Sequence, residues 1–139
     1  MELTINDILD VAIKSEESSF IFYKEMAGKS QNPETVKILK KLSQDEKDHL
    51  EYLIWLKSGD PINEQVYFDG FEEAGQLSAE MLPKEVLQIA IQREGAAAKM
   101  YRQMADIFKE QPDKNFIFER MAREEDHHAS AVAAMLKEF

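Results

Sequence analysis

Residues 12–27 read AIKSEESSFIFYKEMA, and residues 90–105 read AIQREGAAAKMYRQMA. Ala, Ile, Glu, Tyr, Met and Ala recur in step, 78 positions apart in these two segments. A second pair follows, NPETVKILKKLSQDEKDH at 32–49 and QPDKNFIFERMAREEDHH at 111–128, now 79 positions apart. The extra residue falls in the loop before Pro112. A chain that repeats a two-segment unit is constrained to fold as one supersecondary unit used twice.

Each segment reads as a long helix. The first starts near Thr4, with Asp7 three residues on as a near capping box, and is expected to stop at Gly28. The second starts at Asn32, with Pro33 at its first position, and runs to about Lys57. The third spans about Pro83 to Lys109. The fourth has Pro112 at its first position and runs nearly to the end. No stretch alternates with period two for long, so no sheet is expected.

Residues 58–82 join the hairpins. A helix of about 26 residues is about 39 Å long, and about 12 extended residues would run back along it. The connector has roughly twice that number, enough for a full-length crossover and too many for a tight turn. Tyr67, Phe68 and Phe71 lie in it and are expected to pack on the helices or on a partner. The reading is an all-α, ferritin-like four-helix bundle, two repeated hairpins joined by a long crossover, forming one domain over residues 1–139.

The apolar stripes carry an anomaly. Leu9, Ala12, Ile13, Phe20 and Tyr23 surround Glu16 on the first helix. Ile38, Leu39, Leu42, Leu50, Leu53 and Leu56 share a stripe with Glu46 and His49 on the second. On the third, Leu87, Ala90, Ala97, Tyr101 and Met104 surround Glu94; on the fourth, Phe118, Met121, Ala122, Val132 and Met135 flank Glu125 and His128. The 3.6-residue period therefore places glutamates where core is required. Burying four carboxylates without positive partners is strongly unfavourable. Two divalent cations would balance them, with two neutral imidazoles completing the ligand set. Carboxylate oxygen with some imidazole suits iron or manganese, with zinc as a further candidate. Glu-x-x-His, as in EKDH at 46–49 and EDHH at 125–128, puts both side chains on one helix face one turn apart. Glu124 and His127 form an overlapping pair, but they share a side with Arg120, Arg123 and Ser130, so His127 is expected near the surface.

Composition narrows the classes. The formal net charge of −10 opposes nucleic acid and anionic membranes. No run of 18 apolar residues and no signal-like N-terminus is present, so a cytoplasmic location is expected. The absence of cysteine removes disulfides, thiolate zinc sites and cysteine-ligated iron–sulfur centres.

The motifs E-x-x-S-x-x-F-Y at 16–23 and E-x-x-A-x-x-M-Y at 94–101, with the two Glu-x-x-His pairs, resemble those of rubrerythrins, over nearly the whole chain. By that resemblance Glu16, Glu46, His49, Glu94, Glu125 and His128 are ligands of two iron ions, with Glu46 and Glu125 as bridging carboxylates. The resemblance also sets Tyr23 and Tyr101 beside the ligands, as core aromatics or as participants in the chemistry. Typical rubrerythrins add a rubredoxin domain; this chain ends at Phe139, so the implied electron donor is another protein. They also carry a further glutamate one turn after the third-helix ligand; here that place is Ala97, with Ser19 as its repeat mate. Small residues there either leave room for a diatomic substrate or let helices approach. The implied activity is reduction of hydrogen peroxide by a homodimeric di-iron oxidoreductase. A ferroxidase or iron-handling role with dioxygen is the alternative, and a structural zinc or manganese site is a third reading.

Overall fold

The computed structural model describes residues 2–59, 65–67 and 83–137. Its elements in chain order are β1 (Glu2–Thr4), α1 (Ile5–Lys29), α2 (Pro33–Lys57), β2 (Gln65–Tyr67), α3 (Pro83–Ile107) and α4 (Pro112–Leu136). All four helices are 25 residues long. The chain divides into two compact units, Met1–Asp69 and Gly70–Phe139. Each contains one helical hairpin, as the repeat requires.

In the first unit α1 packs against α2. Thr4 opens α1 with a reciprocal capping box: its hydroxyl accepts from the Asp7 amide, and the Asp7 carboxylate accepts from the Thr4 amide. Two of the otherwise unsatisfied amides of the helix start are thereby satisfied. Asn32 opens α2, its side chain accepting from the amides of Glu34 and Thr35 ahead of the Pro33 ring. Helix α1 continues one residue past Gly28 and ends at an extended Ser30. Gly28 stays helical because the stop is imposed downstream, where the chain must extend before Pro33. Ile5, Ile8, Leu9, Ala12, Leu39, Leu42, Leu53 and Leu56 are buried. Ile38 departs from the expected stripe and is exposed, and Ile13, Phe20 and Leu50 are half-buried. Ile38 and Leu50 lie on the margins of the α2 stripe that Leu39, Leu42 and Leu53 centre, and Ile13 and Phe20 on the margins of the α1 stripe around Leu9, Ala12 and Glu16. Lys57, near the end of α2, pairs with Asp10 on α1.

One element was not anticipated. β1 and β2 form a two-stranded antiparallel ladder, Glu2 opposite Tyr67, Leu3 opposite Val66 and Thr4 opposite Gln65. Strands of three residues are too short to display an alternating pattern, so periodicity could not reveal them. The expected packing of Phe68 and Phe71 lies outside the described residues, as do the side-chain contacts of Tyr67.

In the second unit α3 packs against α4. Leu87, Ala90, Ala97, Tyr101 and Met104 are buried on α3, and Phe118, Met121, Ala122, Val132 and Met135 on α4, as the stripes require. Phe118 stacks between two rings of α3 and its following turn, 6.0 Å from Tyr101 and 5.7 Å from Phe108. Helix α3 ends at Ile107, two residues early, because the next residues turn toward Pro112. The Asn115 side-chain amide donates to the Ala105 carbonyl at 2.7 Å, which ties the start of α4 to the end of α3. Arg102 pairs with Asp126 across the same two helices. Among the described residues no helix is long and apolar enough to cross a membrane.

Candidate metal centre

Helix α1 carries Glu16 at its midpoint, 1% exposed, on the face that also buries Ala12, Ser19 and Tyr23. Helix α2 presents Glu46 and His49, one turn apart and likewise buried. The His49 Nδ1 stands 3.7 Å from a Glu16 carboxylate oxygen and 4.0 Å from one of Glu46. Each of the three residues offers a donor atom within 4.8 Å of the others'. One turn before Glu46, the buried Ser43 hydroxyl donates to the Phe20 carbonyl at 3.2 Å. That bond fixes α2 against α1 beside the carboxylates. Sequence reading did not single out Ser43; its only signal was a hydroxyl on an otherwise apolar stripe.

The second hairpin repeats the arrangement. Glu94 on α3 and Glu125 and His128 on α4 are all buried. The His128 Nδ1 is 3.4 Å from a Glu94 oxygen and 3.7 Å from a Glu125 oxygen. The neighbouring His127 is exposed, together with Arg120, Arg123 and Ser130. The structure thus gathers the six residues as two like triads, one per hairpin, and leaves His127 outside.

The electrostatics of such a triad favour a cation. Burial pushes the Glu16 carboxyl well above its ordinary range, the Glu46 carboxyl beside it pushes it further, and His49 pulls it partly back. Two buried carboxylates and a neutral imidazole carry −2, which one divalent ion neutralises. The spacing fits as well. Donors about 2.1 Å from a common ion and roughly 90–150° apart are separated by about 3–4 Å. The 3.4–4.0 Å separations fall in that window and are wide for direct N–H···O bonds. Each hairpin therefore holds a ligand set compatible with one divalent metal ion.

The sequence profile of the rubrerythrin family matches residues 7–69 and 85–139, most of the chain. The chain belongs to the rubrerythrin family. No curated relative matches it. Among solved structures, it is similar to a proposed ferritin-like diiron-carboxylate protein from Thermotoga maritima. The TM-score there is 0.84 with 23% identity, over 99% of this chain and 97% of that one. It is also similar to a hypothetical protein from Pyrococcus furiosus, with a TM-score of 0.76 and 21% identity, over 97% of this chain and 89% of that one. These likenesses show the ferritin-like fold, built from two helical hairpins. Within the rubrerythrin family this chain has Ala97, 8% exposed, one turn after Glu94, and Ser19, 7% exposed, one turn after Glu16.

Proposed function

We propose that this rubrerythrin-family protein is a di-iron oxidoreductase that reduces hydrogen peroxide to water with electrons from an external donor protein. The observation that carries the reading is the duplicated buried triad of two carboxylates and one imidazole. Glu16, Glu46 and His49 would hold one ion, and Glu94, Glu125 and His128 the other; the family resemblance makes Glu46 and Glu125 the bridging carboxylates. When bound, the two ions supply electrons and Lewis acidity to the substrate oxygens. The chain's own residues do the rest. The buried carboxylates neutralise the ions and fix their positions. Buried apolar side chains such as Ala12, Leu53, Ala90 and Val132 keep water from the ligands. Tyr23 and Tyr101, two turns after Glu16 and Glu94 and buried, are placed to hold a proton at the phenol oxygen. Reduction of one peroxide consumes two electrons and two protons and yields two waters. A homodimer in the cytoplasm is the assembly and setting we propose for it.

A second reading is favoured by Ala97. Rubrerythrins typically carry a movable glutamate there, and a buried methyl group cannot replace it as a ligand. In that reading the protein is a ferroxidase, with ferrous iron as substrate and dioxygen as oxidant. Anaerobic loading with ferrous iron, followed by stopped-flow mixing with equimolar peroxide or dioxygen, separates the two. Faster oxidation by peroxide is expected. Faster oxidation by dioxygen, with ferric mineral accumulating at excess iron, would establish the ferroxidase reading. Loading without oxidation by either would leave a structural metal site.

A further inference from the structure

A buried metal pair that turns over with an external donor needs a route for electrons through the protein. Helix α2 contains a row at three-residue steps: Glu46, His49, Tyr52 and Trp55. Three residues turn a helix by about 300°, so such a row keeps neighbours in contact while winding slowly around the axis. This one winds from the core to the surface. Glu46 is 1% exposed and His49 3%, Tyr52 is half-buried, and Trp55 is 66% exposed. The Tyr52 and Trp55 rings stack at 5.9 Å between centroids and 30° between planes. Trp55 is the single tryptophan of the chain. Its ring is too exposed to contribute much to the core.

The repeat supplies an internal control. The matching row on α4 is Glu125, His128, Ala131 and Ala134. A hairpin of this kind folds with alanines at both outer places. The aromatic pair therefore answers no general requirement of the helix, and it occurs on one hairpin only.

We propose that Tyr52 and Trp55 form an electron relay between the protein surface and the metal position held by His49. The role in turnover rests on the oxidoreductase reading; the transfer between the two rings does not. In each passage Tyr52 gives one electron toward the metal position, where peroxide would be the oxidant, and releases its phenol proton, becoming a phenoxyl radical. Trp55 then gives Tyr52 an electron, the phenol regains a proton, and the indole N–H proton is released. A one-electron reductant at the surface, protein or small molecule, restores the indole with one electron and one proton. Two passages supply the two electrons that convert one peroxide, with two protons, to two waters.

The relay is tested first in the metal-free full-length chain. Azide radicals generated by pulse radiolysis oxidise the exposed indole, and a single tryptophan makes its absorbance unambiguous. The indolyl signal is expected to decay in a first-order step, independent of protein concentration, as phenoxyl absorbance grows; this is the ring-to-ring step of the relay run in reverse, and it reads the same coupling between the two rings. Tyr52→Phe, which keeps the ring and its packing, is expected to remove that growth. The second arm uses the iron-loaded chain with excess peroxide and no reductant. Oxidation of Trp55, read by mass spectrometry and by loss of its fluorescence, is expected to depend on both iron and Tyr52. Phenoxyl growth unchanged in Tyr52→Phe, or Trp55 oxidation equally fast without iron or without Tyr52, would overturn the relay. Failure of the chain to take up iron would instead overturn the oxidoreductase reading, and the first arm would still decide the transfer between the two rings.

Discussion

His128 on α4 holds its Nδ1 3.4 Å from the carboxylate of Glu94 on α3, and the equivalent separation of His49 from Glu16 is 3.7 Å. Each pair joins the two helices of one hairpin at mid-length, inside the protein. Neither separation makes a strong direct hydrogen bond, and both match two ligands sharing an ion. The consequence is thermodynamic: without a cation, each hairpin buries two carboxyl groups at its centre that must hold protons or leave charge uncompensated.

Metal binding should therefore stabilise the fold. A ligand that binds only the native state adds about 2.7 kcal/mol at a free concentration of 100 times Kd. For a chain of this size that corresponds to roughly 5–10 °C in Tm. Thermal melts of iron-loaded, manganese-loaded and chelator-stripped protein read the shift. An unchanged midpoint after verified metal removal would contradict the assignment of the buried triads as metal sites.

Much of this architecture is legible in the sequence. The repeat delivered two hairpins, Pro33 and Pro112 fixed two helix starts to the residue, and the apolar stripes isolated Glu16, Glu46, Glu94 and Glu125 as inward carboxylates. What was not legible has physical reasons. The Glu2–Thr4 and Gln65–Tyr67 ladder is held by backbone pairing between distant segments, and three residues carry no period. Ile38 and Leu39 are both apolar neighbours, so composition could not tell which faces inward; packing against α1 selected Leu39. Gly28 is a helix stop only when the chain needs a left-handed residue there, and α1 instead runs on to Lys29. Tyr52 and Trp55 carry no signal in the hydrophobic pattern because their row leaves the apolar stripe of α2.

The choice between His127 and His128 is open to direct measurement. His128 is 1% exposed and faces two carboxylates, whereas His127 is exposed. Metal analysis of purified variants should show that His128→Ala and Glu125→Ala each lose a metal ion, with His127→Ala retaining both. Loss of metal in His127→Ala with full retention in His128→Ala would place the ligand register one residue away.

The pH dependence of the metal-free protein follows from Glu16. Its folded-state pKa lies above its ordinary value of 4.5, chiefly through burial and then through the Glu46 charge. Between the two values the native state binds more protons than the unfolded chain, so stability falls as pH rises. The favourable contribution is complete below the ordinary carboxylate range and is lost as pH passes through the raised folded value. Chemical denaturation with chelator present, from mildly acid to neutral pH, should show this decline. Metal replaces the proton, so the loaded protein should show a smaller decline or the opposite slope. Metal-free stability that rises steadily over the same interval would show that Glu16 is solvated or otherwise compensated.

Hairpin packing should be equally measurable. Leu39 is completely buried on α2 and centres the stripe that meets α1. Leu39→Ala deletes buried methyl groups and leaves a cavity, at a cost of about 2–5 kcal/mol. The exposed Ile38→Ala should cost less than about 1 kcal/mol. Urea midpoints of the two variants, both metal-loaded, decide the point, and equal losses would refute the assigned helix face.

Ala97→Glu offers the most informative gain-of-function variant. Ala97 is buried one turn after Glu94, on the same face of α3. A glutamate there adds a third carboxylate to a hairpin that already buries Glu94 and Glu125. In the metal-free protein the added charge must be desolvated or protonated, so thermal stability should fall. With metal bound the new carboxylate gains a cation to face, and much of that loss should be recovered. A melt pair, with and without chelator, therefore should show a larger metal-induced shift for the variant than for the parent chain. The functional consequence follows from the family pattern: if the glutamate favours peroxide, the ratio of peroxide to dioxygen oxidation rates should rise in Ala97→Glu. An unchanged ratio, with the enlarged metal-induced shift present, would show that oxidant preference in this chain is set elsewhere than at position 97.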